Sequence, residues 1–133
     1  MRTALDSSVI LDVVLNDPTF ADASERAIRQ AASEGSLVVS ETVLAEVRPA
    51  FADDDIEQFL ADLEIVFVPS TRASSLLAGE MFGVHLKRRR AGRGRVVADF
   101  LIGAHAMLCA DRLLARDLGY FRGYFKKLTL LEP

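Results

Sequence analysis

Four carboxylates in this sequence lie within or directly after apolar segments, where a charge needs a specific reason to be present. Burying an unpaired carboxylate is costly, and protonation is its usual escape. Several carboxylates gathered at one place would repel each other strongly unless a cation joined them. Oxygen-only ligands suit Mg²⁺ or Mn²⁺, which keep part of their water shell and act on phosphates. The four residues are Asp6, Glu46, Asp99 and Asp117.

Short apolar runs alternate with amphipathic segments and predict the elements that hold these acids. The predicted strands are residues 2–5, 37–39, 65–68, 112–115 and 128–131, the last at an edge. The predicted helices are residues 8–15, 18–34, 40–48, 53–63, 71–90 and 96–110. Ser7 or Ser8 is expected to cap the first helix, Gly35 to end the second and Ser40 to cap the third. This alternation favours an α/β fold, with a parallel sheet covered by helices on both faces.

The four acids fall where such a fold places its functional sites, beyond the carboxyl ends of the strands. Asp6 directly follows the first predicted strand, and Asp117 follows the fourth. Glu46 lies in the helix after the second strand, and Asp99 has an almost wholly apolar setting. Each acid taken alone could instead cap a helix or pair with an arginine. All four falling at one sheet edge by chance is much harder to accept.

Size and composition favour one globular domain spanning residues 1–133. Half of the residues are hydrophobic and about a quarter are charged, which argues against disorder. Cys109 is the only cysteine, so an internal disulfide and a cysteine-based zinc site are excluded. No apolar run approaches the ~20 residues that span a bilayer. We therefore expect a cytoplasmic protein with no membrane association.

Five segments, taken in order and with their spacing, resemble the successive motifs of PIN-domain VapC toxins. They are DSSVIL at 6–11, AE at 45–46, ADFLIGAHA at 98–106, LLARD at 113–117 and YFKKL at 124–128. Each motif is weak alone, but together they cover essentially the whole chain. The resemblance implies a three-layer α/β/α PIN-like domain with a central, mostly parallel five-stranded sheet. It also implies that Asp6, Glu46, Asp99 and Asp117 are the catalytic and metal-binding set.

The activity implied by the resemblance is that of a Mg²⁺-dependent endoribonuclease, with Mn²⁺ as a substitute. A metal-activated water would hydrolyse RNA phosphodiesters and leave 5′-phosphate and 3′-hydroxyl ends. The protein would be the toxin of a VapBC-type pair, with a cognate VapB-type antitoxin as its partner. Apolar helix surface in residues 8–15 and 50–63 also predicts a homodimer, with a hetero-oligomer with the antitoxin as a further form.

One departure from the family pattern keeps two alternatives open. The family often has Thr or Ser two positions before the last Asp, where this chain has Ala115. The chain could therefore be an inactive PIN-like module that binds RNA or a partner. It could also be an RNA-processing nuclease without an antitoxin. Phosphotransferases of the haloacid-dehalogenase type are excluded because Ser8 occupies the place of their second Asp.

A basic stretch from Lys87 to Arg95 contrasts with the net charge of −3. Arginine pairs with phosphates in a bidentate way, so this stretch is a predicted RNA-gripping segment. A solvated loop and a docking surface for an acidic antitoxin tail are the alternatives. The predicted substrate-binding residues are Arg88, Arg89, Arg90, Arg93 and Arg95.

Three further polar residues are given no part in the chemistry. Asp12 is expected on the outer edge of its helix, although a supporting role near Asp6 is also open. His85 and His105 are expected to be structural, because neither has a partner at metal-ligand spacing.

Overall fold

A five-stranded parallel sheet forms the centre of the fold. The computed structural model describes residues 1–88 and 97–133. The strands are β1 (Arg2–Leu5), β2 (Ser36–Val39), β3 (Ile65–Phe67), β4 (Arg112–Leu114) and β5 (Leu130–Leu131). Their order is β3-β2-β1-β4-β5, and every pairing is parallel. The predicted α/β sheet is confirmed, and β5 extends the parallel arrangement to its edge.

Seven α-helices occur among the described residues and cover the sheet on both faces, as a three-layer α/β/α domain requires. They are α1 (Ser7–Val14), α2 (Ala21–Glu34), α3 (Glu41–Val47), α4 (Asp55–Asp62), α5 (Arg72–Arg88), α6 (Val97–Cys109) and α7 (Gly119–Tyr124). A 3-10 turn, Arg48–Ala50, follows α3. The predicted end of the fifth helix at Arg90 and the start of the sixth at Val96 lie outside the described residues.

The local sequence explains where α3 begins and where α2 ends. The Ser40 hydroxyl caps α3 by accepting a hydrogen bond from the Val43 amide at 3.4 Å. Gly35 ends α2, and a Cβ at this position would lie 1.8 Å from the Met1 carbonyl oxygen. Only glycine allows this close approach of the chain to the start of β1. Both boundaries match the prediction from the sequence.

The core lies between the sheet and the helices on either side of it. In β1 and β2 every residue after the first is buried, as expected for strands covered on both faces. Phe100 of α6 and Phe125, which follows α7, are the largest fully buried side chains, with ring centroids 6.2 Å apart. Within the described residues, no helix is both long and apolar enough to cross a membrane.

The strand order places a switch point between β1 and β4. The chain moves outward from β1 through β2 to β3, and then returns to the other side of β1 as β4. Connections that leave neighbouring strands in opposite directions open a crevice at the carboxyl ends of those strands. Asp6 and Asp117 follow these two strands.

Candidate active site

Asp6 links the end of β1 to the start of α1. Its amide donates to the Leu114 carbonyl oxygen at 2.9 Å, which fixes it against the end of β4. Its carboxylate caps α1 by accepting from the Ser8 amide at 3.2 Å and from the Ser8 hydroxyl at 2.5 Å. The prediction that Ser7 or Ser8 caps α1 is therefore wrong. Asp6 has the extended backbone of a capping residue, which places both serines in the first turn.

A cavity of about 310 Å³ opens at the switch point and brings together three of the four predicted acids. Asp6 comes from the end of β1, Asp99 from α6 and Asp117 from the segment after β4. The other lining residues are Ser7, Ser8, Leu11, Arg116, Tyr120 and Phe121. Asp6 is 5 % exposed, Asp99 is half-buried and Asp117 is exposed. The cavity is therefore acidic at its base and open to solvent at its mouth.

Glu46, the fourth predicted acid, lies at the margin of this group. Its side chain is on α3 and accepts a hydrogen bond from the Ser7 hydroxyl at 2.8 Å. Glu46 does not line the cavity itself. Ser7 does line the cavity, and its hydrogen bond connects Glu46 to the cavity wall.

Burial, together with repulsion between like charges, raises the pKa of two of the acids, Asp99 and Asp6. Desolvation, followed by the charges of Asp6, Glu46 and Asp117, raises the pKa of Asp99 from 3.8 to about 6. Burial also raises the pKa of Asp6, and the charge of Glu46 adds to this effect. The hydrogen bonds that Asp6 accepts from Ser8 oppose the rise by stabilising the carboxylate. A cation between these groups would relieve the repulsion.

The donor chemistry of the cavity fits a hard divalent cation. All four acids offer oxygen, which Mg²⁺ and Mn²⁺ prefer, and neither a cysteine nor a histidine lines the cavity. In the side-chain positions of residues 1–88 and 97–133, no three Asp, Glu, His or Cys residues converge into a complete metal-binding group. The four acids therefore influence one another through their charges. Asp6 and Glu46 are each hydrogen-bonded to a serine.

Asp12 and Arg116 form a second charged group beside the acids, and the sequence alone does not predict their pairing. Asp12 is buried, at 3 % exposure, so the prediction of an outer-edge position is wrong. Its carboxylate accepts from Arg116 Nε at 2.8 Å and Nη2 at 2.9 Å, and from the Ser24 hydroxyl at 2.7 Å. These hydrogen bonds raise the pKa of the Arg116 guanidinium. The one signal of this pairing in the sequence is that Asp12 lies on the apolar helix α1, because a buried acid needs a partner.

Ala115 occupies the position where the family often has a hydroxyl. It is fully buried and offers no hydroxyl to the cavity. A different hydroxyl occupies this neighbourhood. Ser8 accepts a hydrogen bond from the Arg116 amide at 3.1 Å and donates to Asp6. The segment after β4 is thereby connected to the carboxylate after β1.

The predicted basic segment is only partly described. Arg88, at the end of α5, is exposed, and its guanidinium carbon lies 5.2 Å from the centroid of the Tyr124 ring. The other four predicted substrate-binding residues, Arg89, Arg90, Arg93 and Arg95, lie outside the described residues.

Both histidines are buried and hydrogen-bonded, as expected for structural residues. His85 Nδ1 lies 2.9 Å from the Tyr124 hydroxyl, and His105 Nε2 lies 2.7 Å from the Val68 carbonyl oxygen. Their exposed fractions are 2 % and 1 %.

Comparison with solved structures supports the fold. VapBC2 from Rickettsia felis, solved with a DNA fragment from its promoter, is similar with a TM-score of 0.72 and 20% identity, covering 100% of this chain and 99% of that chain. VapBC-1 from nontypeable Haemophilus influenzae gives a TM-score of 0.66 and 22% identity, covering 99% and 98%. FitAcB from Neisseria gonorrhoeae gives 0.70 and 19%, covering 98% and 97%. At these identities the likeness shows the fold alone.

Comparison of the sequence with protein families identifies the domain. No curated protein matches significantly. The PIN domain matches residues 3–126, which include all four acids of the candidate site. PIN domains are nucleases and generally use divalent metal ions. A match over nearly the whole length, together with the parallel sheet and the acidic cavity at its switch point, shows that this chain belongs to the PIN domain family.

Proposed function

We propose that this protein is a Mg²⁺-dependent endoribonuclease and the toxin of a VapBC-type toxin–antitoxin pair. One observation carries the proposal: Asp6, Asp99 and Asp117 line a single cavity at the switch point. Glu46 adds its charge to theirs from the margin. Acids grouped in this way favour binding of a divalent cation and, through it, of a phosphodiester. The proposed substrate is RNA, and the proposed location of the protein is the cytoplasm.

The chain's own residues would prepare the site for hydrolysis. Asp6, Asp99, Asp117 and Glu46 would hold Mg²⁺, with Ser8 fixing the orientation of Asp6 and Ser7 that of Glu46. When bound, the cation would activate a water molecule and neutralise charge that develops on the phosphoryl oxygens. Asp99 must lose its proton to act as a ligand, and its raised pKa makes this step sensitive to pH near neutrality.

The central test is RNA cleavage by the purified full-length protein. Cleavage should require added Mg²⁺ or Mn²⁺, stop in EDTA and leave 5′-phosphate ends. Zn²⁺ should substitute poorly, since no cysteine or histidine lines the cavity. Asp99→Asn should abolish cleavage. Asp62→Asn, at an exposed acid on α4, should not. Undiminished cleavage in excess chelator would contradict the mechanism.

The toxin assignment adds a VapB-type antitoxin as partner. VapBC2 and VapBC-1, which share this fold, are the similar structures that prompt it. Induced expression of the protein alone should arrest growth, and coexpression of a short neighbouring reading frame should relieve the arrest. Growth arrest by the Asp99→Asn variant would contradict a toxin that acts through cleavage. A homodimer remains part of the proposal and is tested by light scattering.

Two alternatives predict different results in the same assays. The absence of a complete metal-binding group among the described residues, together with Ala115, favours an inactive RNA-binding module. Such a module would bind RNA and leave it intact in Mg²⁺. An RNA-processing nuclease would cleave RNA but have no antitoxin encoded beside it.

A further inference from the structure

Arg116 is the single basic residue that lines the acidic cavity in the part of the chain that the structure describes. Asp6 and Asp117 line the same cavity, and the Arg116 side chain is 34% exposed. A cation beside carboxylates usually serves to neutralise one of them. Arg116 pairs with the carboxylate of Asp12, which does not line the cavity. None of the three acids that line the cavity accepts a hydrogen bond from this guanidinium.

The guanidinium of Arg116 is fixed on two sides. Asp12 accepts from Nε and Nη2 in a bidentate pair, and buried Ser24 holds the Asp12 carboxylate in turn. The Phe20 ring covers one face of the guanidinium, with its centroid 4.4 Å from Cζ. A buried carboxylate paired in this way fixes the plane of the guanidinium and its position.

These contacts leave part of the guanidinium available. Arginine carries five N–H donors, and Asp12 engages only Nε and one side of Nη2. Nη1 makes no hydrogen bond to residues 1–88 or 97–133. A fixed cation with unused donors at the wall of a cavity is suited to an anion with several oxygens, such as a phosphate.

We propose that Arg116 is a phosphate-binding residue of the cavity, held in place for that task by the buried carboxylate of Asp12. The inference rests on the proposed function, because the phosphate would belong to an RNA chain entering the acidic site. Arg116 would contact a phosphodiester oxygen next to the carboxylates and offset their repulsion of the RNA backbone. It lines the cavity itself, whereas the basic segment 87–95 is predicted to grip RNA beside the metal site.

A direct test must remove Arg116 without leaving Asp12 as an unpaired buried charge, because such a charge can unfold the protein. Asp12→Asn removes the carboxylate and keeps the arginine. The double variant Asp12→Asn/Arg116→Gln removes both charges, so it differs from Asp12→Asn by the Arg116 guanidinium alone. Arg122→Gln removes an equal charge from the same segment, at a side chain that is 69% exposed and outside the cavity. Thermal melts establish that all four proteins, including the wild type, are folded.

The readout is binding of a labelled single-stranded RNA, followed by fluorescence anisotropy over a range of salt concentrations. The buffer contains Ca²⁺, a hard cation that suits carboxylate oxygens, and a gel confirms that the RNA stays intact. The double variant should bind about tenfold more weakly than Asp12→Asn, as expected for a lost charged hydrogen bond. Its slope of log affinity against log salt should be flatter by about 0.7, the value for one phosphate contact on a single strand. Arg122→Gln should bind like the wild type.

Other outcomes would overturn the proposal in distinguishable ways. Equal binding by Asp12→Asn and the double variant would show that Arg116 has a structural role only, and the proposed nuclease function would stand. An equal loss in Arg122→Gln would show an effect of net charge rather than a contact. Failure of the wild type to bind RNA at all would overturn the proposed function, and this inference with it.

Discussion

At the scale of single residues, the acids of the cavity differ in how their charge is tolerated. Asp6 is almost completely buried but accepts two hydrogen bonds from Ser8, which stabilise its ionised form. Asp117 is exposed and accepts from the Gly119 amide at 3.3 Å. Asp99 is half-buried beside three like charges, and its pKa rises to about 6. Asp99 is therefore the acid whose charge opposes folding most clearly.

The first prediction is that Asp99→Asn stabilises the protein in metal-free buffer at neutral pH. Because the folded-state pKa of about 6 exceeds the ordinary value of 3.8, the folded protein holds the proton more tightly. The stabilising contribution of Asp99 is present below pH 3.8 and is lost as the pH rises through about 6. Above about pH 6, the free energy of unfolding should be higher for the variant by about 1 kcal/mol. This is less than the full pKa shift implies, because water screens this partly exposed group.

Urea unfolding at a series of pH values measures this effect. The difference in unfolding free energy should disappear below about pH 3, where the wild-type carboxyl is protonated in both the folded and the unfolded state. A variant that is less stable than the wild type at every pH would instead assign Asp99 a structural role.

Residue types and local spacing predicted the acids but not their neighbours. Asp6 and Asp117 could be placed together because the carboxyl ends of parallel strands meet at one edge. The pairing of Asp12 with Arg116 could not be predicted, because the two residues are 104 positions apart and meet only after α1 packs beside the end of β4. Which residue caps α1 could not be predicted either. A capping residue needs an extended backbone, and Asp, Ser and Thr all allow it, so Asp6, Ser7 and Ser8 were equally suitable.

At the scale of elements, α6 positions Asp99 and is held by close packing at its centre. Gly103 lies on α6 where a Cβ would come within 2.6 Å of the Phe125 ring. Phe125 is 2% exposed and packs against Phe100, so the ring has little room to move. The helix therefore approaches the chain after α7 more closely than any side chain would allow.

The second prediction follows from this contact. Gly103→Ala should destabilise the protein by about 1–3 kcal/mol, the usual cost of overpacking a core. Gly79→Ala on α5 is the matched control, because nothing lies within 4 Å of its added Cβ. The control should be more stable than the wild type by roughly 0.5–1 kcal/mol, through the better helix propensity of alanine. Chemical denaturation compares the two, and equal effects would contradict the packing account.

The third prediction concerns the basic segment 87–95, which begins in the last turn of α5. Replacing Arg88, Arg89 and Arg90 together with Gln should weaken RNA binding at low salt, because three charges that we assign to phosphate contacts are lost. The slope of log affinity against log salt should flatten by up to about 0.7 per contact. Mn²⁺ binding should hardly change, since arginine is not a metal ligand. Unchanged RNA binding with weaker antitoxin binding would identify a partner-docking surface instead.

One element, α7, is not predicted from the sequence, for a clear physical reason. Its six residues, Gly119–Tyr124, include two glycines, and glycine is a poor helix former. The segment is too short to be stable alone, and its stability comes from burial of Phe121 against the core. Tyr120 and Phe121 of this helix line the acidic cavity, so tertiary packing completes one wall of the site.

At the scale of the whole molecule, strand order decides which acids meet. The alternation of apolar and amphipathic segments predicted five strands, but neighbouring positions in the sheet depend on crossovers that no local pattern specifies. The order β3-β2-β1-β4-β5 places β1 at the centre, with β4 beside it. Asp6 and Asp117 then face one crevice, α6 adds Asp99, and α3 brings Glu46 to its margin.

The central claim is that this group of acids binds a divalent cation, and a Mn²⁺ titration tests it most directly. Electron paramagnetic resonance measures free Mn²⁺ in the presence of the full-length wild type, Asp99→Asn and the surface control Asp62→Asn at neutral pH. The account predicts saturable binding by the wild type and by Asp62→Asn. Binding by Asp99→Asn should be weaker by about tenfold or more, a loss typical of damage to a metal site. The absence of saturable binding by the wild type, or equal binding by all three proteins, would contradict the account.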